Sequence, residues 1–322
     1  MCGELGAAAV RICHGGKPST AADSREGSTR SDTESADDVI VLSDFKVIRN
    51  DRAAGSRPAA DHEGMIMMVM GAVRPGTIKI KATIAADEVD AALAAYHLSG
   101  STARSHEIYF CEQPSQLGLL PLLDGAVILR VRHHPAGPGD VTVKLRPCQP
   151  EQLSGQWSAF RRSAHHKLLI KGEWAHDRHL TAASLVYSFP GDHLRQALRS
   201  RPHHPGRLFS TRQRRYLAEC TATHVDLDGL YLLGPVTVQQ WRLRVPRYDI
   251  TAERWTILTP GDPPGLNLLE LSVTAESEDA ALVQPAFLAS IRRRGLDPYA
   301  FQRTKTRYVL QHLVLSGRPR PS

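Results

Sequence analysis

AVILRVR at residues 126–132 and VTVKLR at residues 141–146 alternate basic with apolar side chains. Successive side chains of a β-strand point to opposite faces of the sheet, so basic residues two positions apart share a face. These basic residues are Arg130 and Arg132 on the first strand, and Lys144 and Arg146 on the second. The intervening segment HPAGPGD at 134–140 is rich in turn residues and predicts a hairpin.

Three further segments show a similar alternation: IKIK at 78–81, IKGE at 170–173 and WRLR at 241–244. For a single strand, the simplest interpretation is the solvated face of an antiparallel sheet. Like charges on neighbouring strands repel each other. Basic residues on five strands therefore indicate a face whose positive charge is neutralised by an anion. A closed barrel lined with Lys and Arg would suit a polyanion such as triphosphate.

Charge is distributed unevenly along the 322 residues, whose net charge is +7. Residues 1–64 contain 8 Lys and Arg against 11 Asp and Glu, which leaves 32 against 22 in residues 65–322, a net charge of +10. This basic part indicates an anionic partner. Nucleic acid is disfavoured because only 6% of residues are aromatic and the pattern contains no stacking platform.

Cysteine spacing and hydropathy bear on the compartment. The chain has five widely spaced cysteines without a CxxC pair, which indicates free thiols in a reducing cytosol. No segment approaches the roughly 18 apolar residues that a membrane span needs. The beginning of the chain lacks the apolar core of a signal peptide. The sequence therefore predicts a cytoplasmic protein without a membrane segment.

Residues 1–70 are predicted to be a disordered N-terminal extension. Residues 1–64 are rich in Ser, Asp, Gly, Ala and Arg, and this composition buries too little apolar surface to offset the entropy of ordering. Four methionines follow at positions 65, 67, 68 and 70. Translation starting at one of them, with a misassigned start codon upstream, is a hypothesis that N-terminal sequencing of the native protein would test.

Residues 71–316 are predicted to form an α+β domain. Strands are expected to start near residues 77, 107, 126, 140, 166, 236, 253 and 267. Helices are expected at 87–98, 192–200, 210–219, 277–294 and 301–315. The helical insert near 190–221 either divides one domain into two halves or separates two subdomains, and the sequence leaves both arrangements open.

Several motifs in this order resemble the CYTH domains of the triphosphate tunnel metalloenzyme superfamily, and the actinobacterial CYTH-like proteins in particular. The motifs are IKAT at 80–83, YFCEQP at 109–114, GAVILRVR at 125–132, TVKLRP at 142–147, KGE at 171–173, LELS at 269–272 and TKTR at 304–307. The resemblance spans about residues 77–313. It implies an eight-stranded antiparallel β tunnel, basic on its inner wall, with helices packed outside.

The resemblance also implies a chemistry. Members of the family hydrolyse or cyclise triphosphate compounds, with basic residues on the phosphates and carboxylates on Mg²⁺ or Mn²⁺. The phosphate-binding residues would be Lys81, Arg130, Arg132, Lys144, Arg146, Arg242 and Lys305, joined by the secondary candidates Lys79, Lys171, Arg244 and Arg307. The metal ligands would be Glu173, Glu253 and Glu270.

The first strand departs from the family pattern. Relatives have an ExExK motif there, whereas this chain has Thr77 and Lys79 before Lys81. Glu173 is followed by Trp174 instead of a further acid. A cation in place of a ligand carboxylate opposes metal binding, so the metal site looks incomplete, and Lys79 would substitute for a lost metal. Each candidate acid also has a simpler explanation, an ion pair with a neighbouring cation.

Three hypotheses follow. The first is a CYTH-like phosphohydrolase acting on inorganic or organic triphosphate with a divalent metal. The second is a non-catalytic module that binds polyphosphate or a nucleotide and has a degenerate metal site. The third, a nucleic-acid binder, requires the cations to face outward. Adjacent histidines at 133–134, 165–166 and 203–204 are not expected to bind a metal, since known sites need convergent ligands.

Overall fold

The computed structural model describes residues 40–41, 75–114, 118–135, 137–189, 193–200, 204–245, 248–258 and 265–316. All of these residues belong to one compact unit, Asp38–Ser322. The predicted extension 1–70 and the proposed start at 65–70 lie outside the described residues, apart from 40–41.

Ten strands form one sheet among the described residues. Their bounds are β1 Ile40–Val41, β2 Thr77–Ile84, β3 Arg104–Glu112, β4 Val127–His133, β5 Asp140–Leu145, β6 His166–Ala175, β7 Arg178–Ser188, β8 Tyr231–Val245, β9 Tyr248–Thr256 and β10 Asn267–Glu276. The strand order is β1-β8-β3-β4-β5-β7-β6-β2-β10-β9, and β9 also pairs with β8. This last pairing closes strands β2 to β10 into a nine-stranded barrel, with β1 attached outside the ring to β8.

A barrel with helices was expected, but the predicted eight-stranded, wholly antiparallel ring is wrong in two respects. The barrel has nine strands, and β2 pairs with β6 in parallel, with Lys79 opposite Glu173. The two differences are linked. A closed ring of strands in which every neighbour is antiparallel needs an even number of strands, so a ninth strand forces a parallel pair.

The strand absent from the prediction is β7, Arg178–Ser188. Its sequence RHLTAASLVYS lacks a clean alternation of apolar and polar residues, because Ala182 and Ala183 are both buried. Tertiary pairing makes it a strand, since β7 lies between β5 and β6. Inserting β7 after β6 places β6 beside β2.

Seven α-helices lie among the described residues. They are α1 Val89–Ala95, α2 Pro121–Asp124, α3 Gln156–Ala159, α4 His193–Ser200, α5 Thr211–Cys220, α6 Ala280–Arg292 and α7 Lys305–Ser316. Short 3-10 turns occupy Ala86–Glu88, Gly100–Thr102, Pro150–Leu153 and Pro205–Leu208. The predicted helical insert corresponds to α4 and α5, between β7 and β8. As predicted, α5 begins with a capping box, in which Ser210 accepts a hydrogen bond from the backbone N–H of Gln213.

Helices cover the barrel through separate apolar clusters. One cluster joins α1 and α6 to β2, β10 and the ends of β8 and β9. A second joins α3, α4 and α5 to β4 through β7, and includes the buried thiols Cys111, Cys148 and Cys220. In a third, Val309 and Leu310 of α7 pack with Phe110 and Trp255. No helix in the described ranges is both long and apolar enough to cross a membrane.

Candidate functional site

The barrel contains a cavity of about 300 Å³ with a strongly basic lining. Nine basic side chains line it: Lys79, Lys81, Arg130, Arg132, Lys144, Arg146, Arg178, Arg303 and Lys305. Three acidic side chains line it: Glu173, Glu253 and Glu270. With all of these groups ionised, the lining has an excess of six positive charges. Such a cavity concentrates electrostatic potential and attracts anions.

Strand alternation places most of these cations inside the barrel. On β2, Lys79 and Lys81 alternate with the buried Ile78 and Ile80, which pack outward under the helices. Arg130 of β4 faces Thr142 of β5 across the ladder, and both side chains line the cavity. The predicted sharing of a face by Arg130 with Arg132, and by Lys144 with Arg146, is therefore confirmed.

Glu173 on β6 is surrounded by three cations. Its carboxylate lies 2.8 Å from Nζ of Lys81, 2.5 Å from Nζ of Lys144 and 2.7 Å from Nε of Arg146. Burial raises the pKa of Glu173, but these cations outweigh burial and hold the pKa well below its usual value. Glu173 is thus an ionised counterion that fixes three cavity cations.

Glu253 and Glu270 form a second buried group. They are direct cross-strand partners on β9 and β10. Nζ of Lys305 lies 3.4 Å from Oε2 of Glu253 and 3.0 Å from Oε1 of Glu270. The same ammonium lies 3.8 Å from the ring centroid of Trp255, a cation–π contact. Burial raises the pKa of both carboxyl groups, yet Lys305 and, to a smaller extent, Lys79 outweigh this effect, and both pKa values are lowered.

Arg130 and Arg132 form a third group with Asp140. Arg132 donates to Oδ2 of Asp140 at 2.7 Å, whereas Arg130 lies 3.9 Å from Oδ1 of the same carboxylate. Arg130 also donates weakly to Oγ1 of Thr142 at 3.4 Å. Its buried Nε–H has no hydrogen-bond partner among the described residues. A half-buried guanidinium whose Nε–H has no partner is well suited to an anionic ligand.

The segment before α7 covers one end of the cavity. Phe301, Arg303 and Thr304 belong to the lining together with Lys305 at the first position of the helix. Arg178 of β7 donates to the backbone carbonyl of Gln302 at 2.7 Å, which ties this segment to the barrel. The helix predicted at 301–315 therefore begins later, at Lys305. The residues before it, which were predicted to be helical, form part of the cavity wall.

Four predicted phosphate-binding residues are not part of the lining. Arg242 and Arg244 are exposed on the last residues of β8. Arg307 lies outside the cavity and pairs with Asp124 at 2.6 Å. Lys171 has the same strand parity as Glu173, but it lies two residues earlier on β6 and is not part of the cavity lining. For the three residues on strands, Lys171, Arg242 and Arg244, the alternation of the sequence does not show how far along the barrel axis each side chain lies.

Two cavity cations were missed by sequence reasoning. Arg178 is the first residue of β7, the strand whose pattern was not recognised. Arg303 lies immediately before the TKTR motif at 304–307, which offered a signal that was not used. Phe110 and Trp255 add aromatic surface to the cavity wall.

The acidic residues do not fit the divalent metal that the family resemblance implies. Among the described residues, no group of three or more His, Cys, Asp or Glu side chains converges as a metal site. Glu173 lies apart from Glu253 and Glu270, and each of the three carboxylates is already in contact with a Lys or Arg. Mg²⁺ demands near-ideal octahedral coordination by oxygen ligands, and cations bound to those ligands oppose its binding. The three glutamates therefore remain metal ligands by prediction only.

Comparison with known proteins gives structural neighbours only. No protein-family model and no curated protein matches the sequence. The chain is similar to the crystal structure of a "putative adenylate cyclase" from Bacillus halodurans, with 12% identity and a TM-score of 0.46, covering 72% of this chain and 98% of the other. A second neighbour is a "putative adenylyl cyclase" from Hippeastrum, described as having a dominant triphosphatase activity. It has 13% identity and a TM-score of 0.44, and the match covers 72% of this chain and 93% of the other.

A third neighbour is described as a "putative adenylate cyclase" from Vibrio parahaemolyticus. It has 11% identity and a TM-score of 0.35, and the match covers 72% of this chain and 97% of the other. At these identities and TM-scores, the similarities assign no activity to this chain.

Proposed function

We propose that this chain binds inorganic or organic triphosphate in the basic cavity of its barrel. The observation that supports the proposal most strongly is the charge of the lining, nine cations against three carboxylates around about 300 Å³. Ligand cavities of small molecules begin at about this size. A linear polyanion would neutralise cations that the protein itself leaves in excess.

The energetics of the charged lining support the same proposal. Burial lowers the pKa of Lys81 and Arg130, and it lowers the pKa of Lys144 to about 7. Lowered values mean that the protein holds these cations at a cost in desolvation, which the neighbouring carboxylates offset only in part. Phosphate oxygens inside the cavity would supply the missing negative charge and charge-assisted hydrogen bonds, including one for the free Nε–H of Arg130.

Two fates of the bound triphosphate were predicted, hydrolysis with Mg²⁺ or Mn²⁺ and retention without turnover. The family resemblance favours hydrolysis. The engagement of Glu173, Glu253 and Glu270 by cations favours retention, because free carboxylates are what a divalent ion needs. We therefore rank the binding module first and the phosphohydrolase second. A nucleic-acid binder ranks last, because the main cluster of cations faces inward.

The proposal is tested with the full chain and inorganic triphosphate. Phosphate release is measured with Mg²⁺ and with Mn²⁺, and the melting temperature is measured with and without triphosphate. A rise in melting temperature without release supports the binding module, and metal-dependent release that is lost in Glu270→Gln supports the hydrolase. Neither release nor a thermal shift would overturn both.

A matched pair of variants locates the site. Lys81→Met removes a cation of the cavity, whereas Lys167→Met removes an exposed lysine of β6 that is not part of the lining. Triphosphate is expected to raise the melting temperature of Lys167→Met as it does that of the wild type, and to raise that of Lys81→Met much less. Equal shifts in the two variants would place any binding outside the cavity.

A further inference from the structure

We propose that the ammonium group of Lys305 takes the place of a divalent metal ion, so that the cavity binds triphosphate as the metal-free anion. This inference rests on the proposed function, since it concerns the same cavity. It differs from the sequence hypothesis, in which Lys79 was the substitute for a lost metal.

The surroundings of Lys305 are those of a bound cation. Its Nζ lies between the paired carboxylates of Glu253 and Glu270 and over the ring of Trp255. All three charged side chains are largely buried, with exposed fractions of 9% for Lys305, 14% for Glu253 and 7% for Glu270. Two carboxylates on neighbouring strands repel each other unless a cation lies between them. Lys305 provides that cation from within the chain.

The carboxylate of Glu253 also accepts hydrogen bonds from neutral donors. The side-chain amide of Gln240 donates to Oε1 of Glu253 at 2.8 Å, and Nε1 of Trp255 donates to Oε2 at 3.3 Å. An incoming metal ion would have to displace the ammonium and compete with these hydrogen bonds. Glu253 therefore already has the ion pair and the hydrogen bonds that a buried ionised group requires.

Further positive charge surrounds the pair. Lys79 acts electrostatically on both Glu253 and Glu270, and Lys81 acts on Glu270. A divalent ion beside the pair would meet the ammonium groups of Lys79, Lys81 and Lys305, and like charges repel strongly in a partly buried site. Together with Lys79, Lys81 and the two carboxylates, the ammonium of Lys305 leaves one excess positive charge, whereas a divalent ion in its place would leave two.

Lys305 is held in place by the fold. It is the first residue of α7, whose Val309, Leu310, Leu313 and Val314 are buried against the barrel. Thr304 and Thr306 on either side of Lys305 also line the cavity. The start of a helix favours anions through its free backbone N–H groups. The start of α7 therefore presents a fixed cation, Lys305, to the cavity. The expected ligand is a triphosphate group without a bound metal.

The test is calorimetric titration of the full wild-type chain with sodium triphosphate in EDTA and in excess Mg²⁺. The expected result is binding in EDTA that becomes weaker in Mg²⁺, because Mg²⁺ sequesters free triphosphate in solution. Binding that is absent in EDTA and appears in Mg²⁺ would overturn this inference and leave the proposed function intact. Absence of binding in both conditions would overturn the proposed function.

A second measurement uses Mn²⁺ alone, followed by its electron paramagnetic resonance signal without triphosphate. The wild-type chain and the control Lys167→Met are expected to leave Mn²⁺ free, whereas Lys305→Met is expected to bind it at least tenfold more tightly because two carboxylates lose their counterion. Circular dichroism verifies that the variants are folded. Stoichiometric Mn²⁺ binding by the wild type, or none by folded Lys305→Met, would contradict the substitution. If Lys305→Met does not fold, the wild-type titrations decide.

Discussion

Glu253 on β9 and Glu270 on β10 lie directly opposite each other inside the barrel and share one counterion, the ammonium of Lys305. The arrangement joins the C-terminal helix to the sheet by a buried charge contact. Its stability depends on all three groups, because each carboxylate left without the ammonium would be a buried charge facing another of the same sign.

Lys305→Met is expected to lower the free energy of unfolding by about 3–5 kcal/mol, the typical effect of removing one partner from a buried ion pair. Adding Glu270→Gln to this variant is expected to restore part of the loss, because one of the two unpaired charges is then removed. Denaturant unfolding measures both values. Lys167→Met, an exposed control, is expected to stay within about 0.5 kcal/mol of the wild type. An unchanged stability of Lys305→Met would show that the contact contributes nothing.

Glu173→Gln is expected to destabilise the chain and to make it respond more strongly to triphosphate. The carboxylate neutralises Lys81, Lys144 and Arg146, and without it these three cations repel one another. A bound polyanion replaces the missing charge. The rise in melting temperature with triphosphate should therefore be larger for Glu173→Gln than for the wild type. A smaller rise in melting temperature for Glu173→Gln than for the wild type would contradict this prediction. It would mean that Glu173 contributes to triphosphate binding instead of replacing the negative charge of the ligand.

Triphosphate affinity is expected to depend on pH through Lys144. Burial lowers the pKa of this ammonium to about 7, and a bound anion raises it, so binding takes up a proton above pH 7. The affinity should fall as the pH rises from 7, by up to about tenfold per pH unit.

Lys144→Arg is the control for this effect, since a guanidinium stays protonated throughout the range. The ratio of wild-type to variant affinity cancels the ionisation of triphosphate itself. The ratio should fall between pH 7 and 9 in calorimetric titrations. A constant ratio would contradict a role of the Lys144 proton in binding.

Tryptophan fluorescence is expected to report ligand binding through Trp255. This ring lines the cavity and lies 3.8 Å from Nζ of Lys305, so a nearby polyanion changes its electrostatic surroundings. The other tryptophans, at positions 157, 174 and 241, are not part of the lining. Triphosphate should shift the emission of the wild type and leave that of Trp255→Phe unchanged. A full response in Trp255→Phe would place the ligand elsewhere.

The sequence predicted the inner face of the barrel well where local alternation decides it. Arg130 and Arg132 on β4, and Lys144 with Arg146 at the end of β5, alternate with apolar residues, so their facing follows from strand geometry alone. The depth of a side chain along the barrel axis is a different matter. Arg242 and Arg244 alternate as regularly, yet β8 continues beyond the start of β3, and both residues are exposed.

Long-range pairing could not be predicted from the same pattern. The ninth strand, Arg178–Ser188, is recognised only through its neighbours β5 and β6, and the parallel pairing of β2 with β6 follows from that strand. The counterion of Glu253 and Glu270 likewise comes from α7, which follows them in the chain. Such contacts depend on tertiary packing, which overrides local propensity.

The central claim, a triphosphate site inside the barrel, is tested most directly by calorimetric titration of inorganic triphosphate into the wild type, Arg130→Ala and the exposed control Arg199→Ala. We predict one triphosphate per chain for the wild type and for Arg199→Ala. We predict an affinity about 10- to 100-fold lower for Arg130→Ala, the effect of losing charged hydrogen bonds. Equal affinities of all three chains, or no binding by any of them, would contradict the claim.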